Sequence, residues 1–332
     1  MNVGIIGAGL IGNKRAQAIK DINQDRIIAI ADSDFKKAEA FAEKYDCQAF
    51  NDYKQLIKIK NLDVIIIAVP NKFTAPLAIA SLKKGKHILC EKPFGINLRE
   101  SKKILATAQK YQRLIKVGFN HRFHAAIWKA KAIVEQNEIG KIIFIRARYG
   151  HGGRLDMEKE WRTDRNISGG GELLDQGVHI IDLCRWFAGE IKEVFGLVET
   201  KFWKIKVEDN AFAIMKSSEA TMEFHVSWTN WKNIFSFEIF GEKGFLQIEG
   251  LGGSYGKEKL IFGKRNPKFG IPQIQEYSFT EDLSWQKEWK NFRSAILNKT
   301  KILGDGNDGL KTNKIVEAIY QSSAKKKIIK IS

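Results

Sequence analysis

The sequence predicts an α/β protein in two parts. Residues 1–119 form a doubly wound parallel sheet, and residues 120–332 form an α+β domain on a large, open, mostly antiparallel sheet. Three observations carry this. The segment Gly7-Ala8-Gly9-Leu10-Ile11-Gly12 follows directly on the apolar run Val3–Ile6. Strand-like and helix-like periods then alternate as far as Gly118. Beyond residue 193 long period-2 runs take over, joined by short polar turns. A chain of 332 residues also exceeds one ordinary domain.

The elements follow in order. A strand, the glycine turn and a helix open the chain, and a second strand, Ile27–Ala31, ends at Asp32. Next come a helix over Phe35–Tyr45, a short strand over 48–50, a helix over Tyr53–Lys58, and the strand Val64–Val69 ending in Pro70-Asn71. Ala75–Lys84 reads as a helix stopped by Gly85. His87–Cys90 is a strand leading into Glu91-Lys92-Pro93, Leu98–Tyr111 a helix, and Ile115–Gly118 the last strand of the first part. Ligands of such sheets bind at the carboxyl ends of the strands, where Asp32, Pro70, Asn71, Glu91 and Lys92 sit. The second part has a helix over His124–Asn137 and a strand over 141–150, with Ile143, Ile145, Ala147 and Tyr149 on one face. A helix over 172–188 follows, then strand runs at 193–203, 210–216, 220–229 and 233–249, and a final helix near Leu310–Ser323. The glycine-rich loop 250–256 reads as a turn, because no helix follows it. Trp228 and Trp231 read as core aromatics of a strand.

The opening turn has the spacing of a dinucleotide-binding Rossmann unit. Gly7 permits the tight turn, Gly9 the close approach of a pyrophosphate, and Gly12 the packing of helix on strand. The N–H groups of Leu10 and Ile11 begin the helix, whose N-terminus attracts phosphate. Asp32, 20 residues beyond Gly12, is placed to accept hydrogen bonds from the ribose hydroxyls. A carboxylate there repels a 2′-phosphate, so the expected cofactor is NAD rather than NADP.

The second informative segment is Gly169-Gly170-Gly171-Glu172-Leu173-Leu174-Asp175-Gln176-Gly177-Val178-His179. On a regular helix Asp175 and His179 lie one turn apart on one face, continued by Asp182 and Trp186. Histidine titrates near neutrality and suits removal of a hydroxyl proton during hydride transfer. The glycine triplet reads as backbone that approaches a ligand closely. Lys92 could stabilise a developing alkoxide. Arg146, Arg148, His151, Arg154, Arg162 and Arg165 crowd one segment, and guanidinium groups hold phosphate or carboxylate well.

Composition narrows the classes. The net charge is +17, but the lysines are spread along the chain, which argues for a solvated basic surface and against a nucleic-acid footprint. No apolar stretch reaches the length of a membrane span, and the first strand leaves no room for a signal peptide. Three scattered cysteines suit neither a disulfide framework nor a zinc site; no metal is expected, and the expected location is the cytoplasm.

These motifs together resemble the Gfo/Idh/MocA oxidoreductases, the family of glucose–fructose oxidoreductase and inositol dehydrogenase. The matching residues are Gly7–Gly12, Val69-Pro70-Asn71, Glu91-Lys92-Pro93-Phe94-Gly95, Asn120-His121-Arg122-Phe123, Trp161-Arg162, and the glycine triplet with Asp175, His179, Asp182 and Trp186-Phe187. The resemblance implies nicotinamide chemistry on sugars, inositols or nucleotide sugars. It implies that Lys92, Asp175 and His179 are catalytic, that Trp161 and Arg162 lie near the nicotinamide, and that the open sheet pairs copies into a homodimer or homotetramer. Thr74 departs from the pattern, since many relatives carry a histidine there. The wording of 149–186 and 245–256 resembles a subgroup found with surface-polysaccharide sugar enzymes. The expected substrate contacts are Lys92, Arg122, Tyr149, His151, Arg154, Asp175 and His179. The expected substrate is an anionic sugar, foremost a nucleotide sugar. The alternatives are an inositol or free-sugar dehydrogenase, a glycosidase that uses NAD transiently, and a non-catalytic cofactor sensor.

Overall fold

A computed structural model describes residues 1–331. The chain divides into two compact units that are not contiguous in sequence. The first holds Met1–Asn120, Asn166–Gly169 and Trp285–Asn313; the second holds His121–Arg165, Gly170–Ser284 and Lys314–Ser332. The simple division at residue 119 thus omits a returning segment.

The first unit is built on a six-stranded parallel sheet in the order β3-β2-β1-β4-β5-β6. Its strands are β1 (Asn2–Ile6), β2 (Arg26–Ala31), β3 (Gln48–Phe50), β4 (Val64–Ile67), β5 (His87–Cys90) and β6 (Ile115–Val117). The helices between them are α1 (Leu10–Ile22), α2 (Phe35–Tyr45), α3 (Tyr53–Leu56), α4 (Asn71–Lys83) and α5 (Leu98–Lys110). β4 is fully buried along its length, which explains its continuous apolar run. α4 starts at Asn71 rather than Ala75, with Pro70 as its N-cap residue. The strand order reverses between β1 and β4, and the carboxyl ends there are the ligand side of such sheets.

The sequence reading gave no helix to the returning segment, yet α9 (Ser284–Asn298) completes this unit's core. Trp289 and Phe292 pack with Val3, Ile5, Ile30, Val64, Ile66 and Leu89. Burying each such aromatic contributes roughly 1.5–3 kcal/mol. Glu288 of α9 is fully buried and ion-paired with Arg15 of α1.

The second unit is built on a nine-stranded sheet in the order β14-β13-β12-β11-β7-β10-β9-β8-β15. Its strands are β7 (Ile142–Gly150), β8 (Glu193–Glu199), β9 (Asn210–Lys216), β10 (Thr221–Ser227), β11 (Ile234–Gly241), β12 (Gly244–Glu249), β13 (Glu258–Lys264), β14 (Gln273–Phe279) and β15 (Ile329–Lys330). Only β7 and β10 pair in parallel; the other neighbours are antiparallel. β13 and β14 extend the sheet beyond the runs read from the sequence. The unit's helices include α6 (Ala125–Glu135) and α8 (Val178–Ala188), while a short α7 (Arg165–Ser168) has all but its first residue in the first unit. α10 (Gly306–Lys325) contributes residues to both units. No helix among the described residues is long and apolar enough to cross a membrane.

Candidate active site

In the first unit, each glycine of the opening turn answers to its own constraint. Gly7 has φ of 105°, and a Cβ there would run into the Ala68 carbonyl oxygen. A Cβ on Gly12 would run into the carbonyl oxygen of Gly7, so this glycine lets α1 close onto the turn. A Cβ on Gly9 would meet nothing within 4 Å, so the turn is open where a pyrophosphate would approach. No side chain caps α1 and its first turn carries no acid, which leaves the N–H groups of Leu10 and Ile11 to an anion. The Asp32 carboxylate accepts from Ala8 N at 2.8 Å and from Asp34 N at 2.9 Å. Those two bonds fix the carboxylate beside the turn and leave acceptor capacity for ribose hydroxyls. These residues fit a dinucleotide.

Asn71 is nearly buried and its Nδ2 donates to Ser168 O at 2.8 Å. Thr74 is buried in α4. Glu91 accepts from Arg15 Nε at 2.7 Å, and Lys92 follows it in a cis peptide to Pro93. Arg15 is ion-paired with Glu91 and Glu288 together, and Lys116 lies 3.5 Å from Glu288. A buried charge network therefore holds the strand end that presents Lys92.

In the second unit, Asp175 and His179 are not related by one regular α-turn. Leu173–Gly177 forms a π-turn that runs into α8, a geometry often found at functional sites. Arg162 Nε lies 3.6 Å from Asp175 Oδ2, and its guanidinium also stacks 4.6 Å from the Trp161 ring. His151 accepts from Gly153 N at 2.9 Å. Burial holds its pKa below the usual value, while the Asp175 charge opposes that shift. His179 is buried, and its ring stacks on His121 with centroids 3.6 Å apart. Asp175, Arg162, His151, His179, His121 and Tyr149 thus belong to one neighbourhood of this unit.

Several expectations require correction. The glycine triplet is required by protein packing. A Cβ on Gly169 would strike Ile96, on Gly170 the Tyr320 hydroxyl, and on Gly171 the backbone of Glu208. The triplet lets the chain pack against protein at both units. Arg122 is engaged elsewhere: Nε donates to Asp182 Oδ2 at 2.7 Å and Nη2 to Oδ1 at 2.6 Å, with both side chains buried. Asp182 therefore balances Arg122 rather than extending a polar stripe. Tyr149 is buried and its hydroxyl meets His121 Nε2 at 3.1 Å. Arg146 and Arg148 lie on the exposed face of β7, opposite Tyr149, and Arg146 pairs with Glu238. Arg154 forms a bidentate pair with Glu160. Of the crowded arginines, Arg162 lies 3.6 Å from Asp175, and the Asp175 charge also reaches Arg154. Trp228 is core, whereas Trp231 is 62% exposed.

The sequence gives no role to Glu208 or Glu288, and Tyr255 enters only as part of the 250–256 turn that could line the site. Tyr255 accepts from Gln176 at 2.6 Å across 79 residues of chain. Glu208 accepts from Tyr320 at 2.6 Å and from Leu173 N at 3.2 Å, pinning the start of the π-turn. No local pattern marks any of the three.

A dinucleotide-ready parallel sheet and a second unit with a buried histidine on the segment that carries Asp175 define a nicotinamide-dependent oxidoreductase. Residues 1–119 match the family model of oxidoreductases with an NAD-binding Rossmann fold, and residues 127–247 match the GFO/IDH/MocA C-terminal domain. The chain belongs to the Gfo/Idh/MocA family, and its first unit is an NAD-binding domain. It is 25% identical to glucose-6-phosphate 3-dehydrogenase of Bacillus subtilis, covering 99% of this chain and 98% of that one. It is 24% identical to D-glucoside 3-dehydrogenase of Escherichia coli, covering 97% and 95%. The fold matches levoglucosan dehydrogenase in complex with NADH and levoglucosan, with a TM-score of 0.92 and 23% identity over 100% of this chain and 99% of that one. The family is one of NAD-dependent sugar and polyol dehydrogenases.

Proposed function

We propose that the protein moves hydride between NAD and a secondary hydroxyl carbon of a pyranose or related polyol ring. Bound NAD supplies the hydride acceptor. His179 takes the hydroxyl proton as the C–H bond breaks, and Asp175 orients substrate or imidazole. Lys92 stabilises the developing alkoxide. Its role is carried by the family resemblance and by its place at a strand's carboxyl end. The single observation behind the reading is the buried His179 ring, held against His121 on the segment that carries Asp175. Trp161 and Arg162 are proposed near the nicotinamide on the same resemblance.

What supports a simple pyranose over a nucleotide sugar is twofold. Arg146 and Arg148, part of the case for a diphosphate, face away from Tyr149. The substrates in the relatives' names, glucose 6-phosphate and a glucoside, carry no nucleotide. Arg162, which here pairs with Asp175 and Glu160, and His151 are the groups that would meet a single anionic group such as a sugar phosphate.

NADH formation against glucosides, sugar phosphates, inositols and nucleotide sugars tests the proposal. His179→Ala should lose about 10²–10⁴ in rate, the usual worth of general acid–base catalysis, while NAD affinity holds. A variant that keeps most of its kcat removes His179 from the mechanism. Product release without net NADH would instead favour the glycosidase reading.

We also propose that the open sheet face pairs two copies. Phe195, Leu197, Phe212 and Ile214 are exposed there side by side, more apolar surface than a solvated sheet face ordinarily shows. Phe212→Lys with Ile214→Lys should convert a dimer to a monomer in sedimentation; a wild-type monomer would sink the idea.

A further inference from the structure

The second unit holds a ring of contacts that starts and ends on one stretch of chain. The His179 imidazole lies on the His121 ring, 15° from parallel. His121 Nε2 is 3.1 Å from the Tyr149 hydroxyl. The Tyr149 ring meets Tyr255 edge-on at 5.0 Å, and Tyr255 accepts from Gln176 at 2.6 Å. Gln176 lies beside Asp175 on the π-turn, so the ring returns to the segment that carries His179.

We propose that His121 and Tyr149 are positioning residues for His179: His121 supplies the ring face that orients the imidazole, and Tyr149 holds that ring by its Nε2. The proposal rests on the reading of His179 as the base. Stacked imidazoles cannot pass a proton face to face, because their nitrogens point along the ring edges. His121 therefore acts through contact and field, not as a relay. Two imidazolium rings at this separation would repel strongly.

The surrounding groups fit that role. On one side of His121 stands Tyr149 of β7; burial raises its pKa well above the usual value, so the hydroxyl stays neutral. Tyr255, pushed up to about 12 chiefly by burial, stays neutral as well. Phe235 of β11 adds an apolar edge. On the other side His124 meets His121 edge-on at 5.6 Å, with Glu258 at 3.0 Å and Asp282 at 3.7 Å from its Nδ1. From the π-turn segment, the charges of Glu172 and Asp175 reach Tyr149. Tyrosine and phenylalanine therefore meet His121 on one side, and His124, with its carboxylates, meets it on another.

The test compares His121→Ala, His121→Phe and Tyr149→Phe in the full chain with NAD. Three readouts are needed: kcat against KM, the pH profile of kcat/KM, and an NMR titration of the His179 ring without substrate. His121→Ala should lower kcat about 10²-fold, the scale of a reacting group displaced by an ångström, with KM within a few-fold of wild type. The acid limb of the profile should move to higher pH, because water reaching the His179 ring favours its cation. His121→Phe keeps a ring face and should recover most of the lost rate. Tyr149→Phe should fall between. Equal losses in all three variants that follow thermal stability, with an unmoved acid limb, would overturn the proposal and leave these residues a merely structural role. Failure of the base reading shows separately, as a His179→Ala enzyme that keeps its kcat. The positioning proposal then stands or falls on the NMR titration, which must shift when His121 is removed.

Discussion

Arg122 offers the sharpest test of how the second unit's charges are used. Its guanidinium meets Asp182 through two bonds of 2.7 and 2.6 Å, and both side chains are almost wholly removed from water. Removing one partner of such a pair strands a buried charge and costs about 3–5 kcal/mol. Replacing both with apolar groups of similar volume is about neutral, because the desolvation cost disappears along with the attraction. Arg122→Met and Asp182→Leu should each therefore be strongly destabilising, and the double variant should recover most of the loss. At about 2–4 °C per kcal/mol for domains of this size, each single variant should melt about 6–20 °C lower. Circular dichroism during thermal and urea unfolding, run on all four proteins, yields the coupling energy directly. Steady-state kinetics on the folded fraction supplies the second arm, where KM should stay near wild type. An Arg122→Met protein of normal stability with a raised KM would refute the reasoning and return Arg122 to the substrate.

Three further outcomes follow from the same geometry. Gly171→Ala should destabilise the chain and displace Asp175, since the added Cβ would strike the Glu208 backbone; a variant with wild-type melting and kcat would contradict that packing. Asp32→Ala should raise the NAD KM and narrow the preference over NADP, and a wild-type ratio of kcat/KM for the two cofactors would mean the carboxylate does not meet the ribose. Burial lowers the pKa of His87, His151 and His225, so the unfolded chain binds protons first as pH falls. Stability should therefore be lost as pH drops below about 6.5, and His151→Gln should soften the fall in the urea midpoint; a midpoint that rises on acidification would reverse the assigned direction.

What the sequence disclosed was mostly backbone necessity. Gly7 and Gly12 are required because a carbonyl stands where each Cβ would be, and that constraint is local and spaced regularly. Asp32 ends a strand adjoining the turn in the sheet, so its distance along the chain predicted its place. The outward direction of Arg146 and Arg148 is legible from parity: with Tyr149 facing in, alternate residues of β7 must face out. The glycine triplet carried no sign of whether protein or ligand filled the space left by its missing side chains. Glu288 could not be found at all, since its bond to Arg15 spans 273 residues and depends on a returning helix. The expected i, i+4 pair assumed a regular helix, and nothing in Leu173–Gly177 announces a π-turn.

The burial of this histidine cluster ties its geometry to stability. His179, His121 and Tyr149 are 4%, 6% and 5% exposed, and a polar network that dry stabilises only while each member keeps its partners. Glu208 extends the same logic to the backbone. Burial raises its pKa, and it spends its acceptors on the Tyr320 hydroxyl and on Leu173 N, at the start of the turn that carries Asp175. A raised carboxyl pKa opposes folding as pH climbs above the unfolded value, so this glutamate is an expensive anchor at neutral pH. An apolar residue would fill its place at lower cost but would leave the Tyr320 hydroxyl and the Leu173 N–H without that acceptor. Through its bond to Leu173 N, Glu208 fixes the backbone at the start of the turn that carries Asp175.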